Sequence, residues 1–154
     1  MKKTAVCISL AASLGLCATG WARQEAGQQV KELLVTLKSE KVSERAAAAR
    51  ILGELGPAAK DAVADLQAAL GDTDKDVRRS AARSLGDIGK ASRPAVPALG
   101  KALKDSEAQV RQAAAYALGQ IGDPAAKPYL EAAKKDTNDN VKRAAKDALK
   151  ALKK

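Results

Sequence analysis

Residues 77–89 read VRRSAARSLGDIG, and residues 110–122 repeat this pattern as VRQAAAYALGQIG. Weaker copies are ERAAAARILGELG at residues 44–56 and VKRAAKDALKALK at residues 141–153. The starts of successive copies are separated by nearly equal intervals along the chain. Self-similarity at a fixed period of this length is typical of repeat proteins, in which every copy is one structural unit.

Each copy has its apolar residues at the spacing of an α-helix. Within residues 77–89 they fall at i, i+4, i+8 and i+11, on one helical face, and are Val77, Ala81, Leu85 and Ile88. A second apolar stripe, with spacings of three and four, precedes each copy. It comprises Val30, Leu33 and Leu37, then Val63, Leu66 and Leu70, then Val96, Leu99 and Leu103, and in the last copy Leu130 alone. Each repeat is therefore predicted to be a pair of helices, in four repeats at about 28–56, 57–89, 90–122 and 123–154.

Hydroxyl residues and glycines are predicted to mark the ends of the second helices. The hydroxyl side chains can accept from the first free N–H groups, and Ser106 with Gln109 fits a capping box. The predicted N-caps are Ser39 or Ser43, Thr73, Ser106 and Thr137, and the predicted C-caps are Gly56, Gly89 and Gly122. Three more glycines lie inside the helices, where glycine costs about 1 kcal/mol relative to alanine. We expect close packing on a neighbouring helix to explain them; they are Gly53, Gly86 and Gly119.

This pattern resembles HEAT repeats, and more narrowly the short HEAT-like repeats of phycobilisome (PBS) lyases. The stretches that carry the resemblance are LGDTDKDVRRSAARSLGDIG at residues 70–89 and LKDSEAQVRQAAAYALGQIG at residues 103–122. The resemblance implies an all-α fold, an α-solenoid (an armadillo/HEAT-like superhelix) of about four helix pairs. It also implies that the second helices line a concave surface.

The resemblance further implies a ladder in which an aspartate and an arginine six residues apart link successive repeats. The matching residues are Asp72 and Arg78, Asp105 and Arg111, and Asp136 and Lys142. We expect each arginine to pair with the aspartate of its own repeat through a charge-assisted hydrogen bond, and so to fix the turn between repeats. The first repeat has Ser39 and Arg45 at these positions, which predicts a weaker rung.

Residues 1–22 are predicted to be a cleaved secretory signal peptide. Lys2 and Lys3 precede an apolar run over residues 5–18, and small residues permit cleavage after Gly20 or Ala22. The run is too short to span a bilayer. An uncleaved anchor and a lipoprotein modified at Cys17 are alternatives that the layout supports less well. The repeat domain, residues 23–154, is therefore expected in the periplasm of a bacterium or outside the cell.

Composition excludes several kinds of chemistry. The chain of 154 residues has no histidine, which rules out a His-based metal site and a Ser-His-Asp triad. Both cysteines, Cys7 and Cys17, belong to the predicted signal, so the rest of the chain has no thiolate and no disulfide. Asp72, Asp74 and Asp76 alternate as in a calcium loop but lack its glycine and its terminal bidentate acid. We expect no metal, no cofactor and no catalysis.

A binding surface is predicted on the outward side of the second helices. By register this side carries Arg50, Arg79, Arg83, Gln112, Tyr116 and Arg143. On a concave face these residues would form a polar, basic strip with one aromatic anchor, and Arg and Tyr are enriched at binding hot spots. The same side could instead be a solvated face, since Arg50 with Glu54 and Arg83 with Asp87 can pair along the helix.

Positive charge is concentrated near the end of the chain. The formal net charge is +9, of which +5 lies in residues 134–154. This segment can dock on an acidic polymer or an anionic lipid, or it can be a soluble cap whose cations complement the helix dipole. Single-strand nucleic-acid binding needs stacking aromatic residues, and only Tyr116 and Tyr129 follow the signal, so we expect no nucleic-acid partner.

The sequence thus favours an exported, monomeric and non-catalytic scaffold or adaptor that binds another protein through its concave face. Two alternatives stay open. One is a lyase-like accessory subunit or chaperone for a chromophore or an enzyme partner. The other is a module that docks on acidic polymer or anionic lipid through its basic last helix, although we expect no membrane association of the main scaffold after signal cleavage.

Overall fold

The computed structural model describes residues 18–153. Within that range the chain is helical and contains no strand. The helices are α1 (Ala18–Thr36), α2 (Val42–Glu54), α3 (Val63–Ala69), α4 (Lys75–Ile88), α5 (Val96–Ala102), α6 (Ala108–Ile121), α7 (Lys127–Ala133) and α8 (Asp139–Ala151). The predicted signal peptide, residues 1–22, lies outside the described residues except for its last part, which begins α1.

The helices form pairs that stack in order along the chain. The second helices α2, α4, α6 and α8 contact one another in succession and make one layer. The first helices α1, α3, α5 and α7 make the other layer, in which α1, α3 and α5 each contact the 3₁₀ segment of the next pair. This arrangement is the predicted α-solenoid of four helix pairs.

The core lies between the two layers and consists of the predicted apolar columns. Leu52, Leu85 and Leu118 of the second helices are fully buried. So are Leu66, Leu99 and Leu130 of the first helices. Fully buried alanines accompany the leucines in every second helix, so the helices can approach closely; they include Ala49, Ala82, Ala115 and Ala145.

Glycines end α4 and α6 as predicted: Gly89 and Gly122 are the C-cap residues, with φ of 75° and 69°. In α2 the C-cap is Leu55 and not the predicted Gly56, which comes next and has φ of 54°. A positive φ is strained for other residues and free of steric cost for glycine. The chain then turns into 3₁₀ segments that precede the first helices, at Gly56–Ala62, Gly89–Ala95 and Pro124–Ala126.

The N-caps of α4, α6 and α8 lie one residue later than predicted, and the N-cap of α2 is Lys41 rather than Ser39 or Ser43. Asp74 caps α4 and accepts hydrogen bonds from the N–H groups of Asp76 and Val77 at 2.8 and 3.3 Å. Asn138 caps α8 in the same way. In α6 the cap position is Glu107, whose side chain makes no capping hydrogen bond, so the predicted capping box is wrong.

A turn around the preceding aspartate explains this shift. Asp72 accepts a hydrogen bond from the N–H of Asp74 at 2.9 Å, and Asp105 and Asp136 do the same in the later repeats. Such a turn places the residue two positions after the aspartate at the helix start. The hydroxyl residue between them is exposed in the turn; these residues are Thr73, Ser106 and Thr137. In the first repeat Lys41 precedes α2 without a side-chain cap, and Ser39 accepts from its N–H at 3.2 Å.

Candidate functional site

A ladder of arginine–aspartate pairs fixes how successive repeats are placed. In each rung the arginine Nε and Nη2 donate to the two oxygens of one carboxylate at 2.7 to 2.9 Å. The rungs are Arg45 with Asp72, Arg78 with Asp105, and Arg111 with Asp136. Their side chains are only 9–14% exposed. Each rung is therefore a bidentate and largely buried pair, the strong form of this interaction.

The ladder pairs residues differently from the expectation. Arg78 does not bind the carboxylate of Asp72; its Nη1 donates to the backbone oxygens of Asp72 and Thr73 at 3.0 and 3.1 Å. Its remaining donors bind Asp105 of the following repeat. The spacing of six residues thus places the guanidinium on the carbonyls of its own turn, while the anion comes from the next repeat.

This geometry also corrects the two ends of the expected ladder. The first rung is complete, because Arg45 binds Asp72 of the next repeat and the backbone oxygens of Ser39 and Glu40, and needs no aspartate in its own repeat. Lys142 is not part of the ladder. Its Nζ pairs at 2.8 Å with Asp139, one turn earlier in its own helix.

The ladder residues stay ionised. Hydrogen bonds from the arginines lower the pKa of Asp72, Asp105 and Asp136 below the ordinary value, and this outweighs the opposite effect of burial. The hydrogen bond from Arg78 to Asp105 in turn raises the pKa of Arg78. Since these guanidinium groups have their donors in use, the ladder is a structural device and does not offer cations to a ligand.

A second seam between the repeats consists of the interior glycines. A Cβ atom on Gly86 would lie 2.7 Å from the Cα of Ala117, and one on Gly119 would lie 2.8 Å from the Cβ of Ala148. Gly53 faces Ser84 equally closely. These separations leave no room for a side chain, which confirms the predicted close packing. Ser84 was missed by the sequence analysis; it is buried and donates to the backbone oxygen of Ala49 at 2.7 Å.

Two adjoining grooves run along the outward side of the second helices. The larger has a volume of about 670 Å³ and lies among α2, α4 and α6. The smaller, of about 300 Å³, lies between α6 and α8. We call them the inner grooves. All six residues of the predicted surface line them: Arg50, Arg79 and Arg83 in the larger, Arg143 in the smaller, and Gln112 and Tyr116 in both.

Tyr116 is the aromatic residue where the inner grooves meet. Its hydroxyl donates to the carboxylate of Asp87 and accepts from Gln120, both at 3.0 Å. The guanidinium of Arg83 lies 5.9 Å from the centre of the ring, within the range of a cation–π contact. Burial, and next the hydrogen bond to Asp87, raise the pKa of Tyr116. The phenol is therefore neutral and held in place, while 39% of the residue remains exposed.

Gln120 was also missed by the sequence analysis, and Asp87 was considered there only as a partner of Arg83 within the same helix. They belong to a polar column with Glu54, one helical turn after Arg50, Arg83 and Tyr116, and this column recurs at the same interval as the repeats themselves. That column is the signal that would have found them.

The inner grooves carry both signs of charge. Arg79 pairs with Asp76 at 3.0 Å and donates to Gln109 at 2.7 Å. Arg83 lies 3.8 Å from Asp87, Arg50 pairs with Glu54, and Arg143 donates to Asn140. The surface is therefore less basic than its register alone predicts, and it presents donors and acceptors together.

The described residues hold no cluster of three or more His, Cys, Asp or Glu side chains that could bind a metal ion. The alternating acids of the α4 turn have separate roles: Asp72 is in the ladder, Asp74 caps the helix, and Asp76 pairs with Arg79. Over residues 18–153, no helix combines the length and the apolar character needed to cross a membrane.

Comparison with protein families gives one match, to the model of HEAT repeats. It aligns with residues 30–94 and again with residues 88–150. No curated protein sequence matches the chain.

Similar solved structures are helical-repeat proteins. The complex of CpcE and CpcF of phycocyanin lyase from a Nostoc species is 31% identical over 80% of this chain and 53% of that one, with a TM-score of 0.69. Human deoxyhypusine hydroxylase in complex with glycerol is 28% identical over 80% of this chain and 43% of that one, with a TM-score of 0.68. A designed armadillo repeat protein in complex with the peptide (KR)4 is 21% identical over 84% of this chain and 66% of that one, with a TM-score of 0.69, and shows the fold alone. The chain spans about half the length of the lyase and hydroxylase chains.

Proposed function

The chain belongs to the HEAT repeat family, and we propose that it is an exported, non-catalytic scaffold that binds a segment of another protein in its inner grooves. The observation that carries this proposal is the convergence of both grooves on Tyr116. An oriented, half-exposed tyrosine is a typical binding anchor, because it offers a large contact area and loses little conformational entropy. The adjoining arginines, carboxylates and amides suit a polar polypeptide that has both donors and acceptors.

The test compares two double variants, each of which replaces one arginine with glutamate and one tyrosine with alanine. One variant changes the layer of second helices and the other changes the layer of first helices. Arg83→Glu with Tyr116→Ala alters the inner grooves. Arg93→Glu with Tyr129→Ala changes the same residue types in the layer of first helices, where Tyr129 packs against Gly100 and is 37% exposed. Both variants must retain the helical circular dichroism of the parent.

Affinity purification of the tagged chain from its own cells, followed by mass spectrometry, should identify a partner. The groove variant should lose this partner and the control should retain it. In titration calorimetry, the purified partner should bind the parent and the control with similar affinity and the groove variant much more weakly. Loss of the partner from both variants, or from the control alone, would contradict the choice of surface.

Export and the monomeric state belong to the same proposal. Protein recovered from the periplasm or the medium should have an intact mass that corresponds to a start at Trp21 or Arg23, the residues after the two predicted cleavage points. Light scattering should give the mass of a single chain. A full-length mass in the cytoplasmic fraction would contradict export.

A lyase-like accessory subunit is a second candidate, which the likeness to the phycocyanin lyase complex supports. In this case the inner grooves would receive the chromophore itself. Titration with such a pigment should then induce visible circular dichroism that Tyr116→Ala removes. A pigment spectrum that stays unchanged at saturating protein would eliminate this candidate and leave the scaffold proposal intact.

A further inference from the structure

Helix α8 carries three lysines at positions through which the preceding repeat contacts its successor, and a fourth lysine follows in the turn after the helix. They are Lys142, Lys146, Lys150 and Lys153, and the equivalent residues of the preceding repeat are Arg111, Ala115, Gly119 and Gly122. Arg111 forms a rung, Ala115 is fully buried and Gly119 contacts Ala148. Lys142, Lys146 and Lys150 therefore share the side of α8 that faces away from the stack.

The four lysines form a continuous stripe. Lys142, Lys146 and Lys150 lie at i, i+4 and i+8, which spans about 12 Å along one side of α8, and Lys153 follows in the turn, where its N–H donates to the backbone oxygen of Lys150. The neighbouring side of α8 is packed against the stack through Val141, Ala145 and Leu149. The side chain of Lys150 is 77% exposed and that of Lys142 is 37% exposed.

Helix α7 widens this stripe into a two-dimensional patch. Lys134 donates to Glu131 at 2.8 Å. Lys127 and Lys134 are exposed at the two ends of α7, the helix that packs against α8, and Lys153 is exposed just after α8. We define the lysine end face as these six residues: Lys127, Lys134, Lys142, Lys146, Lys150 and Lys153.

The lysine end face has an excess of positive charge. Glu131, Asp139 and Asp147 pair with three of its lysines. The other three make no ion pair with any residue in the described part of the chain; they are Lys127, Lys146 and Lys153. Like charges at i and i+4 disfavour a helix, so helix stability does not explain this run of lysines. An excess of one sign on one face indicates a ligand of the opposite sign.

We propose that the lysine end face docks the protein on an anionic lipid bilayer. Neither inner groove includes any of these lysines, and the patch extends over two helices, which suits a broad surface. Linear polyanions are bound in grooves with stacking aromatic residues, and specific phosphate recognition favours the bidentate fork of arginine. Lysine ammonium groups on flexible stems reach lipid headgroups and are attracted by the surface potential of the leaflet. The proposal does not depend on a partner in the inner grooves.

The experiment is co-sedimentation of the full chain with neutral vesicles of phosphatidylcholine alone, or with anionic vesicles in which phosphatidylglycerol is added as the minor component. The end-face variant combines Lys142→Gln, Lys146→Gln, Lys150→Gln and Lys153→Gln. The control variant has the same net charge and combines Lys60→Gln, Lys90→Gln, Lys101→Gln and Lys104→Gln, all of exposed lysines in the central repeats. Every chain carries the same N-terminal segment with Lys2 and Lys3, so the contribution of this segment to lipid binding is the same in the parent and in both variants.

For the parent and the control, affinity for the anionic vesicles should exceed that for neutral vesicles by about tenfold or more at low salt, and most of this preference should disappear at about 1 M salt. The end-face variant should lose the preference. Equal losses in both variants would show a net-charge effect and would overturn the proposal. It would be overturned equally if the parent lacked the preference, or if poly-glutamate or single-stranded DNA at equal charge concentration displaced the parent from vesicles. The groove variant Arg83→Glu with Tyr116→Ala should sediment like the parent, which separates this proposal from the scaffold function.

Discussion

Helices α6 and α8 occupy the same place in successive repeats. They differ in the residues on the side that points along the stack, away from the preceding repeats. In α6 that side consists of an arginine held by Asp136, a fully buried alanine and a glycine without room for a Cβ atom. In α8 the same three positions are lysines, of which Lys146 and Lys150 are exposed. Glycine is among the poorest helix formers and lysine a good one. The small residues are therefore explained by contact with the following helix and not by helix formation.

The largest expected difference between a central and the last repeat is in the core. Leu85→Ala removes a fully buried side chain between two neighbouring repeats and should cost about 2–5 kcal/mol of unfolding free energy. Leu152→Ala removes a partly buried side chain that packs at the edge of the core and should cost less than half as much. Urea unfolding of both variants measures the two values, and equal losses would contradict a core that is continuous through the stack.

The ladder should show the next largest difference. Arg78→Ala leaves the largely buried Asp105 without its counter-ion and should cost about 2–3 kcal/mol, between the values for surface and buried pairs. Lys142→Ala at the equivalent position removes only a surface pair with Asp139, and should cost about 0.5 kcal/mol or less. If both variants lose the same stability in urea, the rungs do not link the repeats as the geometry indicates.

The glycine seam gives a third matched pair. Gly86→Ala adds a methyl group against the backbone of Ala117 and should destabilise the protein by about 1–3 kcal/mol, although alanine is the better helix former. Lys150→Ala at the equivalent position should change stability by no more than about 0.5 kcal/mol. Thermal and urea unfolding check both, and a stabilised Gly86→Ala variant would show that α4 and α6 are not in close contact there.

Acid should weaken the central repeats more than the last one. The pKa values of Asp72, Asp105 and Asp136 are lowered in the folded state, first by hydrogen bonds from the arginines. Their contribution to stability is therefore complete above about pH 4 and is lost as the pH falls through the lowered values.

Asp105→Asn removes one of these groups and should make the decline in unfolding free energy below pH 4 shallower. The pKa of Asp139 is also lowered, through its hydrogen bond to Lys142, but this carboxylate is 92% exposed and solvent screens the pair. Asp139→Asn should accordingly have a much smaller effect on the decline of the unfolding free energy below pH 4. A series of urea titrations between pH 7 and 2.5 measures how the unfolding free energy of each variant depends on pH. A larger effect of Asp139→Asn than of Asp105→Asn would refute the conclusion that the ladder aspartates cause the loss of stability in acid.

The smallest expected effect concerns a hydroxyl group inside the stack. Ser92 is fully buried and its Oγ has no hydrogen-bond partner, whereas the equivalent Ala59 of the preceding repeat is buried without a polar atom. Ser92→Ala should raise the unfolding free energy by about 1 kcal/mol, because an unsatisfied buried polar group is removed. A loss of stability would indicate that the hydroxyl has a partner in solution.

Much of the site could be predicted because it depends on periodicity within single helices. The register of Arg50, Arg83 and Tyr116 follows from the helical period and from the constant interval between repeats, and the structure places these side chains along one groove. The hydrogen bond from Tyr116 to Asp87 crosses from α6 to α4. Such a contact depends on the distance and rotation between two helices, which residue spacing within one helix does not report.

The sequence by itself determined the class of fold, the four repeats, the glycine turns and the face that carries the inner grooves. These features depend on local propensity and on a period that recurs along the chain. Only the tertiary structure decided that Arg78 binds Asp105 and not Asp72, that Asp74 and not Thr73 caps α4, and that the lysines of α8 lie on the side that faces away from the stack. Each of these depends on atoms that approach across a turn or between repeats, where a shift of one residue or one helix changes the partner.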